Sequence, residues 1–333
     1  MNYTATRNNL IDIYRDCKSS LDRYFGDDCF FKIGLEIEFY LAPKADYDFL
    51  AIIDPIDFPY GDILKISDIK VKYFYELLLK KLSPYKYEIG DIEPEDGSGQ
   101  FEITINSLLH PVVAAEAIAR FKKFATEAAK ELDLVFIPSA KPFKNQAASG
   151  LQVNISMFNS SGLNLFVKNG YFSEILYFSI AGIIERLSEM IYLCCLEDEN
   201  AYLRYRKPEF GDININYPTN ISWGINNRTS AIRVPYSKSM NPDLFRIELR
   251  FPSVSCEPFQ MISCMIFAIT EGILGSKKPI EPLYYNAFDE RYDDIKKLPK
   301  NKLDAFENFH GRVIYDVLNF GVKNRLEQKS LTK

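Results

Sequence analysis

The chain has 333 residues, 47% hydrophobic and 14% aromatic, which is ample for a packed core and excludes a disordered or collagen-like polymer. Forty basic against 45 acidic side chains give a formal net charge of -5, so no basic surplus points to nucleic acid or to an anionic membrane. Six cysteines (Cys17, Cys29, Cys194, Cys195, Cys256, Cys264) lack C-x-x-C spacing and read as buried free thiols in a reducing compartment.

Residues 1 to 30 read as a short helical lead-in, with Leu10, Ile11, Ile13, Tyr14 and Leu21 among polar positions. The charged N-terminus has neither an apolar signal core nor a small-residue cleavage site, so the expected location is the cytoplasm. From Phe31 onward, period-2 segments alternate with long helical patterns at Val112 to Leu132, Ile175 to Leu196 and Pro258 to Leu274. The second of these is interrupted by Glu185, Arg186 and Glu189, which suits an amphipathic core helix better than a membrane span. Pro and Gly clusters mark loops at Asp54 to Gly61, Glu93 to Gly97 and Lys207 to Pro218. Residues 278 to 303, with Pro279, Pro282 and Pro299, form a charged irregular stretch before a final short helix near Leu303 to Leu318. The simplest partition is the lead-in, a catalytic-sized domain over 31 to 277, and a helical appendage of the same domain over 278 to 333.

The segment Lys32 to Phe39 carries the first chemical signal. In a strand, Ile33, Leu35, Ile37 and Phe39 share one face, and Glu36 and Glu38 share the other. The same alternation recurs in Gln100 to Ile105, with Gln100, Glu102 and Thr104 on the polar face. It recurs again in Leu151 to Ser156 (Gln152, Asn154, Ser156) and in Phe245 to Phe251 (Arg246, Glu248, Arg250). Placed in one sheet, these strands would line a surface with carboxylates and arginines. Crowded carboxylates call for raised pKa values or a divalent cation, and oxygen ligands favour Mg²⁺ or Mn²⁺. Arginines beside such a site suit a phosphate-bearing substrate such as ATP. Arg228 and Arg233, five residues apart, could spread the charge of a transferring phosphoryl group. No G-x-x-x-x-G-K-[ST] segment is present to supply a P-loop.

Taken in order, these segments resemble the catalytic domain of the glutamine synthetase family. Gly34 to Phe39 resembles its first metal motif, and Glu95-Asp96-Gly97-Ser98-Gly99-Gln100-Phe101-Glu102 its E-x-G-x-G-Q-x-E motif. Ser149 to Asn154 is similar to G-S-G-[ML]-H-x-H, Asn200 to Arg204 to N-S-Y-x-R, Asn227 to Pro235 to N-R-x-x-x-x-R-x-P, and Arg246 to Arg250 to R-x-E-x-R. The resemblance implies an α+β fold with a curved, largely antiparallel sheet backed by helices. It implies an ATP-dependent carboxylate-amine ligase that works through an acyl phosphate on glutamate or a related acid, with ammonia or another amine as the second substrate.

By the same resemblance one metal would use Glu38, Glu95 and Glu102, and a second Glu36, Glu248 and the residue at the family's histidine position, here Gln152. Arg228 and Arg233 would face the ATP phosphates, with Asn154 near the nucleotide. Arg204, Arg250 and Gly150 would hold the acid, and Glu209 sits near the place of the flap glutamate. Three departures stand out: Gln152 and Asn154 replace two histidines, Ala147-Ala148 replaces an Asn-Gly that helps bind glutamate, and only the lead-in stands where the family carries a β-grasp domain. His110 and His310 lie outside the motifs and read as structural. A non-catalytic paralogue that binds nucleotide or a metabolite is the competing expectation. Small-molecule partners are expected, with no nucleic acid and no membrane, and a homo-oligomer stays open.

Overall fold

A computed structural model of the chain describes residues 3–45, 47, 66–143, 146–196, 199–207, 216–239 and 241–322. The loop expected at Asp54 to Gly61, most of the one beginning at Lys207, and Glu209 itself lie outside the described residues.

The chain opens with helix α1 (Tyr3–Phe25), whose Leu10, Ile13, Tyr14, Cys17 and Leu21 form one buried stripe. Strand β1 (Cys29–Pro43) follows. Phe31, Ile33, Leu35, Ile37 and Phe39 are fully buried on one face, as the alternation of the sequence predicts. Phe39 sits among Phe74, Phe101, Phe121 and Phe136, with ring centroids 5.3 to 6.3 Å away. Truncating such a side chain costs about 3–5 kcal/mol.

β1 is the hub of the sheet. It pairs antiparallel with β3 (Gln100–Leu109), β4 (Leu134–Ile137) and β5 (Leu151–Asn159). The strand order is β2-β3-β1-β5-β10-β9-β8, where β2 is Ile89–Pro94, β8 Trp223–Ile225, β9 Ile232–Val234 and β10 Ile247–Leu249. Only the β8/β9 pairing is parallel among the described residues. A separate two-stranded ribbon joins β6 (Val167–Lys168) to β7 (Tyr171–Phe172). The fold is therefore α+β with a largely antiparallel sheet.

The apolar face of the sheet is covered by α1, α2 (Asp68–Leu82), α3 (Pro111–Glu131), α4 (Glu174–Cys194) and α5 (Pro258–Gly275), which share one core. Sequence reasoning passes over α2, although Phe74, Leu78 and Leu82 recur at helical spacing and are buried. By length and composition α5 could cross a membrane, but its residues are packed inside the core against α1, α3 and α4. Glu257 caps it by accepting from the Gln260 amide at 2.6 Å. α4 and α5 touch backbone to backbone: a Cβ on Gly182 would stand 2.0 Å from the Ala268 carbonyl oxygen. The charges within α4 are paired, Arg186 reaching Glu271 at 2.7 Å and Glu189 at 3.1 Å.

At the C-terminal end the structure has two helices where the sequence pattern suggests one, α6 (Lys302–Phe309) and α7 (Val313–Phe320). Gly311 at φ +66° breaks the pattern, in a region of backbone space that L side chains rarely adopt. His110 accepts a hydrogen bond from the Val112 amide at the start of α3, and His310 packs on Phe306 and Tyr315. All six cysteines are buried, and none of them forms a disulfide.

Candidate active site

The polar face of the sheet is assembled by register. Glu38 lies opposite Glu102, and Glu36 lies opposite Thr104 on one side and Gln152 on the other. Glu248 lies between Asn154 of β5 and Arg233 of β9. Residues separated by up to some two hundred positions in sequence thus become neighbours, because each strand must turn its apolar face to the helices.

Two loops close the edge of this surface. At the start of β3 the Gln100 side chain accepts from the Gly97 amide at 2.9 Å and donates to the Ala148 carbonyl at 3.2 Å and the Ser149 hydroxyl at 3.0 Å. Gln100 thereby ties the Glu95 turn to the Ser149-Gly150 loop. Gly97 has no room for a side chain, since a Cβ there would stand 2.0 Å from the Tyr40 hydroxyl. The Gly150 amide donates to Glu38 at 2.7 Å.

Together these elements line a cleft of about 170 Å³ bounded by Glu36, Glu38, Glu95, Glu102, Gly150, Gln152, Arg204, Arg228, Arg233 and Arg250, with Asp96, Asn216 and Tyr217 at its walls. The residues that the sequence singles out therefore meet in one place, apart from three. Glu248 is fully buried just beneath the cleft, Asn154 opens onto a neighbouring one, and Glu209 lies outside the described residues.

The guanidinium groups divide into two kinds. Arg204 is buried and gives its terminal nitrogens to the carbonyls of Ser149 (2.8 Å), Pro252 (2.7 Å) and Phe251, so it braces the cleft wall. Its Nε, like that of Arg233, is buried without a hydrogen-bond partner among the described residues. Arg250 is held by the carbonyls of Arg228 (2.9 Å) and Asn216 (3.1 Å), and bonds both Gln152 (2.7 Å) and Glu248. Arg233 takes the other oxygen of Glu248 at 2.8 Å. Arg228 is exposed at the rim, with no ion-pair partner among the described residues.

The carboxylates nearer β3 are less well compensated. Burial, and then the charges of Glu36, Glu38 and Glu95, push the Glu102 carboxyl up to about 8. Burial raises Glu38 to about 6 against the pull of Arg250 and its hydrogen bonds. Glu36 and Glu95 are also raised, chiefly by burial and next by Glu248 and Asp96 respectively. Glu102 accepts no hydrogen bond from a described residue.

This charge distribution decides where a cation fits. Among the described residues no three His, Cys, Asp or Glu side chains converge as a ready-made metal cage. The donor set of Glu38, Glu95 and Glu102 nevertheless has the chemistry of a divalent-cation site: hard oxygens, crowded, with a deficit of positive charge. The set of Glu36, Gln152 and Glu248 does not fit. Both oxygens of Glu248 and the amide oxygen of Gln152 are already engaged by arginines.

Next to the acidic cleft, and sharing Glu36 with it, lies a second cleft of about 440 Å³ lined by Lys32, Asn154, Ser156, Phe158 and Arg246 among others. Arg246 donates to Asn154 at 2.7 Å, and the Lys32 ammonium sits 4.0 Å from the centre of the Phe158 ring. Sequence reasoning sees Arg246 as a member of a polar strand face and of the R-x-E-x-R segment without giving it a role, and misses Lys32. The available signal is that both alternate with buried residues on strands already assigned to the site.

Comparison with known proteins follows the same line. The family described as glutamine synthetase, catalytic domain, matches residues 16–320. The glutamate-methylamine ligase of Methyloversatilis universalis is 29% identical over 287 residues, covering 83% of this chain and 62% of that protein. The gamma-glutamylputrescine synthetase of Escherichia coli is 27% identical, covering 62% of this chain and 41% of that protein. The chain thus spans less than two thirds of the length of either relative. A solved structure, the GmaS/ADP complex, superimposes with a TM-score of 0.71 at 23% identity, over 96% of this chain and 72% of that one, which establishes likeness of fold. With the family matched over nearly its whole length, the chain belongs to the glutamine synthetase catalytic-domain family.

Proposed function

We propose that the protein is an ATP-dependent carboxylate-amine ligase whose acid substrate is glutamate or a close relative and whose amine is ammonia or a small alkylamine. The observation that carries this reading is the cleft itself, in which an undercompensated carboxylate cluster faces Arg228 and Arg233. The names of the relatives support the choice of substrates. Residues 31 to 277 would form the catalytic unit, with 278 to 333 an appendage of the same domain, and the enzyme would work in the cytoplasm.

A carboxylate oxygen of the acid attacks the γ-phosphorus of ATP, the bond to ADP breaks, and an acyl phosphate forms. The amine nitrogen then attacks the carbonyl carbon, phosphate leaves with the bonding pair, and the nitrogen loses a proton. Arg228 at the rim and the free donor of Arg233 bind the polyphosphate and spread the charge that develops on the transferring group. Arg250, the Gly150 loop and the Nε of Arg204 bind and orient the acid. Asn154 and Arg246 flank the neighbouring cleft, where the nucleoside lies. Mg²⁺ or Mn²⁺ held by Glu38, Glu95 and Glu102 would supply neutralisation of the polyphosphate. Glu209 would help to keep water from the acyl phosphate.

The test is release of ADP and phosphate by purified protein with Mg²⁺-ATP and glutamate, with and without ammonium or methylamine, beside a Glu102→Gln control. Amine-dependent release that the control abolishes supports the ligase. ATP binding with no release from any acid and amine pair would favour the non-catalytic alternative.

A further inference from the structure

Resting on the reading of Glu38, Glu95 and Glu102 as a cation site, we infer that this chain binds one divalent cation of its own, and that the Arg250 guanidinium occupies the place of a second. Three observations converge on this. Glu248 is wholly buried and both its oxygens are taken, one by Arg233 at 2.8 Å and one by Arg250. Gln152 is spent in both directions, its amide nitrogen donating to Glu38 at 2.8 Å and its oxygen accepting from Arg250 at 2.7 Å. Glu36 accepts from Asn154 at 2.9 Å, and Asn154 is in turn held by Arg246. Among the described residues, only one carboxylate oxygen of this set, on Glu36, is left without a protein partner.

Arg250 is not a loose side chain that a metal could displace at small cost. Its Nε and Nη2 are fixed by the carbonyls of Arg228 and Asn216, and the side chain is 9% exposed. Removing it would strand a buried, half-neutralised Glu248. A cation entering there would also lie against two guanidinium groups, whereas one entering beside Glu102 meets three carboxylates to which no guanidinium is bonded among the described residues. The glutamine at position 152 is part of this arrangement, because its amide offers Arg250 an acceptor and Glu38 a donor at once.

The experiment is a Mn²⁺ titration of the purified full chain followed by electron paramagnetic resonance, with no nucleotide and again with a non-hydrolysable ATP analogue. The inference expects one bound Mn²⁺ per chain without nucleotide and an uncoupled spectrum. Affinity falls by about tenfold or more in Glu102→Gln and is retained in Glu248→Gln. With the analogue, any further Mn²⁺ travels with the phosphates and is unaffected by Glu248→Gln. Two Mn²⁺ per chain without nucleotide, or any bound Mn²⁺ that Glu248→Gln removes, would overturn the inference while leaving the ligase reading intact. No bound Mn²⁺ in either condition would overturn the cation site of the ligase reading and the inference together. Wild-type stoichiometry decides the matter even if the buried Glu248 variant does not fold.

Discussion

Replacing Glu102 by Gln should stabilise the protein in the absence of metal while weakening its function. In the folded chain the Glu102 carboxyl is raised from 4.5 to about 8, first by burial and then by Glu36, Glu38 and Glu95. Between those values the folded state holds a proton that the unfolded state has released, so this group's contribution to stability declines as pH rises through the interval. At about 1.4 kcal/mol for each tenfold change, the full interval corresponds to about 5 kcal/mol. Glu102 is partly exposed, and solvent screening brings the figure to roughly 2 kcal/mol. Glutamine carries no charge in either state and removes the repulsion. In chelator at pH 8, thermal denaturation of Glu102→Gln should lie about 3 °C above wild type, with the two converging near pH 5. Adding Mg²⁺ should raise the wild type more than the variant. A variant no more stable than wild type at pH 8 without metal, or a difference independent of pH, would refute the claim that crowded carboxylates dominate the site.

Three further substitutions separate chemistry from architecture. Arg228→Ala removes an exposed rim cation with no ion-pair partner among the described residues, so stability should stay within about 0.5 kcal/mol while turnover falls about a hundredfold or more, measured by melting and by ADP release. Gly97→Ala would push a methyl group to 2.0 Å from the Tyr40 hydroxyl and should cost about 1–3 kcal/mol; Tyr40→Phe in the same chain should recover part of that loss in urea unfolding. Gly182→Ala would set a Cβ 2.0 Å from the Ala268 carbonyl oxygen and 2.9 Å from the Gly272 backbone. Helices α4 and α5 would have to separate, so a loss of about 3 kcal/mol is expected in the same assay, and no loss would show that the two helices are not in backbone contact.

The strands of the site are legible in the sequence because their apolar and polar residues alternate, and alternation reports a half-buried strand without reference to its neighbours. The pairing of those strands is not local information. That Glu248 faces Arg233 and Asn154 depends on β10 lying between β5 and β9, and the resemblance of ordered motifs, rather than the period, brings these residues together in advance. The engagement of Gln152 and Glu248 by Arg250 is less legible still, since Arg250 and Gln152 are 98 residues apart and meet through side-chain geometry. Arg204 shows the opposite limit. Its motif suggests a substrate contact, while most of its donors brace the carbonyls of 149, 251 and 252. Helix α2 carries a readable buried stripe that reasoning passes over, and the single C-terminal helix fails on one glycine, Gly311.

The central claim is that the acid is activated by phosphorylation, and oxygen transfer tests it most directly. With glutamate labelled with ¹⁸O in its γ-carboxylate, ATP, Mg²⁺ and the amine that supports turnover, an acyl phosphate carries one carboxylate oxygen into the released phosphate. Mass spectrometry should therefore find one ¹⁸O in phosphate for each amide formed. Amide formed with unlabelled phosphate would contradict the account.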